Sequence, residues 1–384
     1  MARPDRKEHR EQWGRRLTTW TNTELIAARL LADGGTLSYA AELVDELRAD
    51  SRVAGVLPQR VNGLLGLPLT FEASGDGRRR GRAVRALEAD EDWWQIAPEH
   101  ELADLQTWGL LLGVGLAELV WTVNDRGRAI PRLKCWDPRA LRFEWSTRRW
   151  LLRTADEEIE IIPGGGKWVL YTPYGSSRPW AKGLWRALAK WWLLKGFALT
   201  DWARHSEMHG SPIRVGVAPE GSQPEDRENF ADDLASLGSD TSLVAPPGYE
   251  TKLLEAVAKT WEMFPKQIET ANAELSILLV GQNLTSEVQG GSFAAAKIHQ
   301  NVRDDLIRFD GEALETCLHD QVLVWWAEYN FGDAALAPWP CWETEPPAME
   351  PAPTSAATAS APMNSSDPAE DGEDEDTTDD DPGT

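Results

Sequence analysis

Residues 273–310, AELSILLVGQNLTSEVQGGSFAAAKIHQNVRDDLIRFD, place two helix-forming segments on either side of a polar loop. No other stretch constrains the fold as tightly. The loop is about a dozen residues long, whereas helix–helix connections ordinarily take about 2–8. It consists of Gly281, Gln282, Asn283, Leu284, Thr285, Ser286, Glu287, Val288, Gln289, Gly290, Gly291 and Ser292. Without Lys or Arg it cannot grip a polyanion. Its amides and hydroxyls suit weak, exchangeable contacts with phosphate or water, and Glu287 repels phosphate. Such a chain must hold two long helices together and present what lies between them.

The flanking sequence supplies further long helices. Gly183–His209 reads as one helix, which at 27 residues would be about 40 Å long. Its apolar residues, including Trp185, Leu188, Trp192, Phe197 and Trp202, cover more than one face, so it must be packed on several sides, with neighbouring copies of the chain as one source of that packing. A second long helix is predicted over 259–280 and a third over 292–330, with Ser292 as its N-cap. Between the first two lies a small α/β insert: a strand at 211–217, an acidic helix at 224–237 and a strand at 243–245 running into Pro246-Pro247-Gly248.

Ahead of these helices, residues 1–36 read as a charged arm closed by Gly34-Gly35. Helices are predicted over 37–49, 53–67 (Pro58 marking a start or a kink), 78–94 and 99–112. The hydrophobic period changes to two from Gly115, and strands follow through 171 as a small, mostly antiparallel sheet. The class is therefore α+β. From about Glu345 the chain is Pro-, Ala- and Ser-rich and then almost purely acidic, a composition expected to be disordered.

Charge limits the function. The formal net charge is −23, and residues 343–384 hold 13 acidic and no basic residues, leaving −10 on the other 342. A net acidic body argues against a protein that wraps nucleic acid, but not against one that DNA slides past. Cys135, Cys317 and Cys341 are widely spaced and odd in number, which predicts a reducing compartment with no disulfide framework or zinc ribbon. The N-terminus has no apolar core of a secretory signal, and no run approaches the ~20 apolar residues of a membrane span. Tryptophan is abundant at 20 residues, read equally as an interface signal or as a compositional habit.

The motifs that hint at chemistry have structural explanations. His205 and His209 share a helix face, but Glu207 is misplaced for HExxH, so no metal and no cofactor is predicted. Ile162-Pro-Gly-Gly-Gly-Lys167 fails the phosphate-loop pattern on both sides and reads as a hairpin turn. The arginine run at 78–82 reads as a solvated helix start. Asp304, Asp305 and Asp310 suggest a carboxylate cluster, yet Arg303 and Arg308 are near enough to pair with them. A soluble metal-dependent nucleic-acid enzyme using Asp304, Asp305 and His299 is the alternative reading.

The register "helix, GQ-LT-EV-GGS, then AAAK-H--VR-DL---D" across 273–310 resembles the portal proteins of tailed bacteriophages, in particular the Mu-like portal family. The passage Trp202–Arg214 and the close at Asn330-Phe-Gly332 are similar to that family too. The resemblance covers roughly 37–345. It implies a non-enzymatic ring of about twelve copies at one capsid vertex, through which double-stranded DNA is packaged and ejected. Residues 37–182 and 293–345 would be the wing, facing the major capsid protein and scaffold. Residues 183–210 and 259–280 would be the stem. Residues 211–258, with Pro212, Ile213, Arg214 and Val215, would be the clip that meets terminase and then neck or adaptor proteins. Residues 281–292 would be the tunnel loop facing DNA. A helical crown after the wing is expected to be reduced or absent. The implied location is the virion, with assembly in the host cytoplasm and no membrane. The resemblance does not separate a live phage from a domesticated particle.

Overall fold

The computed structural model describes residues 20–74, 77–209, 213–236, 247–254, 262–283 and 293–344. The acidic tail and the greater part of the polar loop lie outside these residues.

The chain enters through helix α1 (Asn22–Asp33), which belongs to the segment read as an arm. Thr21 caps it, its hydroxyl accepting from Glu24 N, and Leu25, Ala28 and Ala32 are buried. Helices α2 (Ser38–Arg48) and α3 (Ser51–Leu65) follow. Pro58 does not mark a start, because α3 begins at Ser51 and runs through it. Strand β1 (Leu69–Glu72) leads to α4 (Arg78–Glu88) and the short α5 (Asp92–Ile96). The predicted single helix over 78–94 is broken between them, where Glu91 takes a left-handed conformation at φ 61°. Helix α6 (Glu99–Leu112) completes this part.

The predicted sheet is two sheets. Strands β2 (Gly115–Val123), β3 (Ala129–Trp136) and β7 (Trp168–Tyr171) form one in the order β3-β2-β7. Strands β4 (Leu141–Glu144), β5 (Arg149–Arg153) and β6 (Glu158–Ile161) form the other in sequence order. Both are antiparallel throughout. Residues 162–167 therefore carry the chain from one sheet to the other, instead of turning a hairpin. Trp325 donates to Gly164 O and Trp121 to Gly166 O, each at 2.7 Å, and these bonds hold that crossing.

A short α7 (Pro179–Lys182) precedes the long α8 (Trp185–His209). Then come β8 (Ile213–Val217), α9 (Pro224–Ser236) and β9 (Glu250–Leu254). β8 pairs antiparallel with β9, a strand the sequence reading missed; the strand predicted at 243–245 lies outside the described residues. Helix α10 (Met263–Val280) leads to the polar loop, and α11 (Phe293–Leu318) leaves it. The helix predicted as one piece to 330 carries a π-helical turn at His319–Leu323 before α12 (Val324–Phe331). Strand β10 (Trp339–Trp342) closes the fold by pairing with β1.

Two amide side chains on this last helical stretch act as substitute strands. Gln321 accepts from Leu170 N at 2.9 Å and donates to Leu170 O at 3.1 Å, on the edge strand β7. Asn330 does the same for Ala129 on the opposite edge, both bonds at 2.8 Å. A sheet edge otherwise leaves such groups without partners. The π-helical turn adds a residue to the helical ladder, with Val324 N–H reaching His319 O, and Gln321 sits within it.

The core forms two apolar clusters. One gathers α1–α3, α8, α10 and the sheet of β4–β6; the other gathers α4, α5, the sheet of β2, β3 and β7, and the segment from α11 to β10. Helices α3 and α6 contribute to both. Much of the tryptophan is spent here. Trp180, Trp185 and Trp326 are at most 1% exposed, and Trp150 and Trp180 meet Phe143 and each other at 5.1–5.4 Å. Core packing is a use that neither sequence reading of tryptophan anticipated.

Gln321→Leu should orphan the edge N–H and C=O of Leu170. An unsatisfied buried polar group costs about 1–3 kcal/mol, so a clear drop in thermal midpoint is expected by circular dichroism, with secondary structure retained.

Candidate functional site

The polar loop is built from its base. Helix α10 ends at Gly281, whose N–H donates to Ile277 O at 2.9 Å from a left-handed φ of 73°. A side chain there would be strained, and its Cβ would come within 2.7 Å of Val302 Cγ1 on α11. Glycine is thus required both by the turn and by the close approach of the two helices. Gln282 is 8% exposed, while Asn283 is exposed. Leu284, Thr285, Ser286, Glu287, Val288, Gln289, Gly290, Gly291 and Ser292 lie outside the described residues.

Helix α3 braces this base. Arg60 is 4% exposed and Asp310 fully buried. The guanidinium donates from Nε to Asp310 Oδ2 at 2.6 Å and from Nη2 to Oδ1 at 2.8 Å. Its third arm, Nη1, donates to Leu279 O at 2.9 Å. One side chain therefore joins α3 to α11 through Asp310 and to the last turn of α10 through Leu279. Burial pushes the Asp310 carboxyl above its ordinary pKa, even though Arg60 pulls the other way. The pair is therefore a poor source of net stability, and its value is positional.

The other end of α3 is pinned in the same manner. Asp50 caps α3 by accepting from Arg52 N and Val53 N. The same carboxylate takes Lys195 of α8 at 2.8 Å, with both side chains no more than 7% exposed. Arg52 donates to Ser276 of α10 at 2.5 Å. Three long helices thus refer to one short one.

The predicted packing residues of α8 divide. Trp185, Leu188 and Trp192 are buried within this chain's own core, at 1%, 0% and 7% exposure. Phe197 and Trp202 face outward at 36% and 38%, beside Leu194 at 41%. Ile213 and Arg214 belong to β8, as does the half-buried Val215, and Pro212 lies outside the described residues.

The carboxylates of the enzyme reading do not converge. Asp305 pairs with Arg308 at 2.9 Å, as the spacing predicts. Arg303, however, donates to Gln59 O at 3.2 Å, and Asp310 turns to Arg60. The His299 side chain lies outside the described residues, and no group of three or more His, Cys, Asp or Glu able to hold a metal occurs among the described ones. The thiols are equally unsuited to chemistry. Burial pushes Cys317 up to about 12 and Cys341 up to about 11, and Cys135 is raised further still. No helix among the described residues is long and apolar enough to cross a membrane.

A sequence profile for the family described as "Portal protein of Mu bacteriophage" matches residues 41–366. The chain belongs to the Mu portal-protein family. Among members of known name, the Mu-like prophage FluMu protein gp29 of Haemophilus influenzae is 28% identical over 316 residues, covering 77% of this chain and 58% of that protein. The portal protein of Escherichia phage Mu is 26% identical over 129 residues, 33% of this chain and 25% of that one. The chain thus spans little more than half the length of the first of these family members. Solved structures share the fold. A chain from the virion of a native gene transfer agent particle has a TM-score of 0.55 at 11% identity, covering 84% of this chain and 89% of that one. A chain from the neck of the native particle, computed with C12 symmetry, has 0.52 at 11% identity, covering 86% of each. The metal-enzyme alternative gains no support from any of these family or structural matches.

Asp310→Asn or Arg60→Met alone should destabilise the fold by about 3–5 kcal/mol, because each leaves a buried polar partner uncompensated. The double variant Arg60→Met/Asp310→Leu should recover most of that loss in urea unfolding. A thiol reagent at pH 8 should leave Cys135 and Cys317 unlabelled in the native protein and modify both after denaturation.

Proposed function

We propose that the chain is a portal subunit of a tailed phage or prophage. About twelve copies would form a ring at one capsid vertex, and double-stranded DNA would pass through its centre during packaging and ejection. Membership of the Mu portal-protein family supports this reading, and the C12 symmetry of the similar neck structure supports the subunit number. In this reading α8 and α10 are the stem, the β8–β9 pair with α9 is the clip, residues 281–292 are the tunnel loop, and residues 37–182 and 293–345 are the wing.

One geometric observation carries the proposal. Phe197, Trp202 and Leu194 remain outward on a long helix whose inner side is already filled by its own chain. A single copy leaves this apolar band open, and a neighbour in a ring closes it. The ring has no chemistry of its own: ATP hydrolysis belongs to a terminase docked at the clip, which later gives way to neck or adaptor proteins. The wing meets the major capsid protein and scaffold. The particle assembles in the host cytoplasm, and the subunit ends in the virion.

Mass photometry of the purified protein, with negative-stain images of the same sample, should show a ring of about twelve copies with a central hole. Phe197→Ser/Trp202→Ser should shift the population to monomer while helicity by circular dichroism is kept, a loss of about 1–3 kcal/mol per side chain removed from each interface. A monomer or dimer that persists across concentration and salt would overturn the proposal.

A further inference from the structure

The arginine run opens α4 as an exposed helix start, as the sequence reading expects. Arg78, Arg82 and Arg85 stand at i, i+4 and i+7, so they share one face of the helix. All three are exposed, while Ala83, Ala86 and Leu87 bury the other side. Their side chains make no ion pair or hydrogen bond among the described residues; within the run from 78 to 85, only Arg79 does so, donating to Phe331 O at 2.8 Å. Asp90 and Asp92 are held by Arg126 and Arg128, and Glu88 accepts from Phe71 N.

Single arginines such as Arg132, Arg148 and Arg153 are also exposed without a carboxylate partner among the described residues, so what sets these three apart is their shared helix face. Arg48, Arg139, Arg142, Arg149, Arg178 and Arg186 are all exposed or half-buried, and each has a carboxylate partner. Like charges at i, i+4 destabilise a helix, and a chain of net charge −23 has acids to spare for neutralising them. An unpaired stripe of guanidinium groups is a surface that an anion completes. The fork geometry of arginine matches phosphate oxygens bidentately. Charges more than about 10 Å away are screened at physiological salt, so distant acids weigh little, and Glu88, at i+3 from Arg85, is the near negative charge on the same helix.

We propose that Arg78, Arg82 and Arg85 form a contact for the phosphate backbone of duplex DNA, separate from the loop at Gly281. The choice of DNA as the polyanion rests on the portal reading; the stripe itself does not. With three phosphate contacts the attachment is weak, independent of sequence and salt-sensitive, which allows DNA to be held without being trapped.

The test is fluorescence anisotropy of the full chain with a labelled 30-base-pair duplex between 50 and 200 mM salt. The wild type should bind at low salt. Arg78→Gln/Arg82→Gln/Arg85→Gln should lower the slope of log K against log salt by about 2–3, since each phosphate contact contributes about 0.9. Arg78→Lys/Arg82→Lys/Arg85→Lys should keep most of that slope. Circular dichroism and mass photometry of the same samples report folding and ring formation independently. An unchanged slope in folded triple-Gln protein, or no duplex binding by the wild type, overturns the proposal whether or not rings form. Capture of a poly-glutamate peptide in place of the duplex also overturns it, in favour of an acidic protein partner. Failure to form rings alongside an intact slope difference would sink the portal reading and leave the DNA contact standing.

Discussion

The polar contacts that brace the base of the loop converge on helix α3. Its capping carboxylate, Asp50, holds Lys195 of α8, and its Arg60 holds both Asp310 of α11 and the carbonyl of Leu279 in α10. These are polar contacts inside an apolar surround, where apolar side chains of similar volume would be as stabilising or more so. What polar groups provide is direction. An apolar contact tolerates sliding of one helix against another, whereas a guanidinium with three defined partners fixes rotation and translation together. The brace therefore sets the register of three long helices relative to one another.

The same preference for directed contacts recurs around the central sheet. Gln321 and Asn330 pair with backbone on opposite edges, and Trp121 and Trp325 donate indole N–H groups to the glycine-rich crossing between the sheets. Edge strands with free backbone invite pairing with other chains. In the ring proposed above, closing the unwanted edges would be as necessary as opening the intended ones. Tryptophan serves both needs, with a large apolar ring for the core and a single donor for a carbonyl that would otherwise be orphaned.

The sequence made the long helices legible because their signal is local, a sustained 3.6-residue period ended at Gly281. Strands β2 to β7 were legible for the same reason. What escaped depends on distant partners. Strand β10 contains Pro340 and four residues without alternation, and it exists because β1 lies beside it, some 270 positions away in the chain. The partner of Asp310 was sought among neighbours on its own helix, and Arg60 is 250 residues distant. Helix α1 could have been found, since Thr21 and Glu24 stand at capping-box spacing ahead of an apolar run. The break at the π-helical turn had no such signal, because it arises from fitting Gln321 to an edge strand.

The position of the brace also bears on how the loop can work. Leu279 is two residues before Gly281, and its carbonyl is bonded to a buried guanidinium. Asp310 lies more than four helical turns beyond the first residue of α11, so the descending helix is anchored far along its length while the ascending one is anchored almost at the loop. A push on the loop is thus resisted at once on the α10 side, and on the α11 side it meets Arg303, which donates to Gln59 O of α3 at 3.2 Å, before it reaches Asp310. The anchors at Leu279 and Asp310 are held by the same side chain, Arg60. A displacement that enters at the loop and reaches either anchor is therefore carried into α3, and from Asp50 into α8, alongside the direct packing of α10 on α8. That coupling follows from covalent connectivity and from four hydrogen bonds, and it makes α3 a polar link between the loop and the long outward-facing helix, in addition to the apolar packing of α10 on α8.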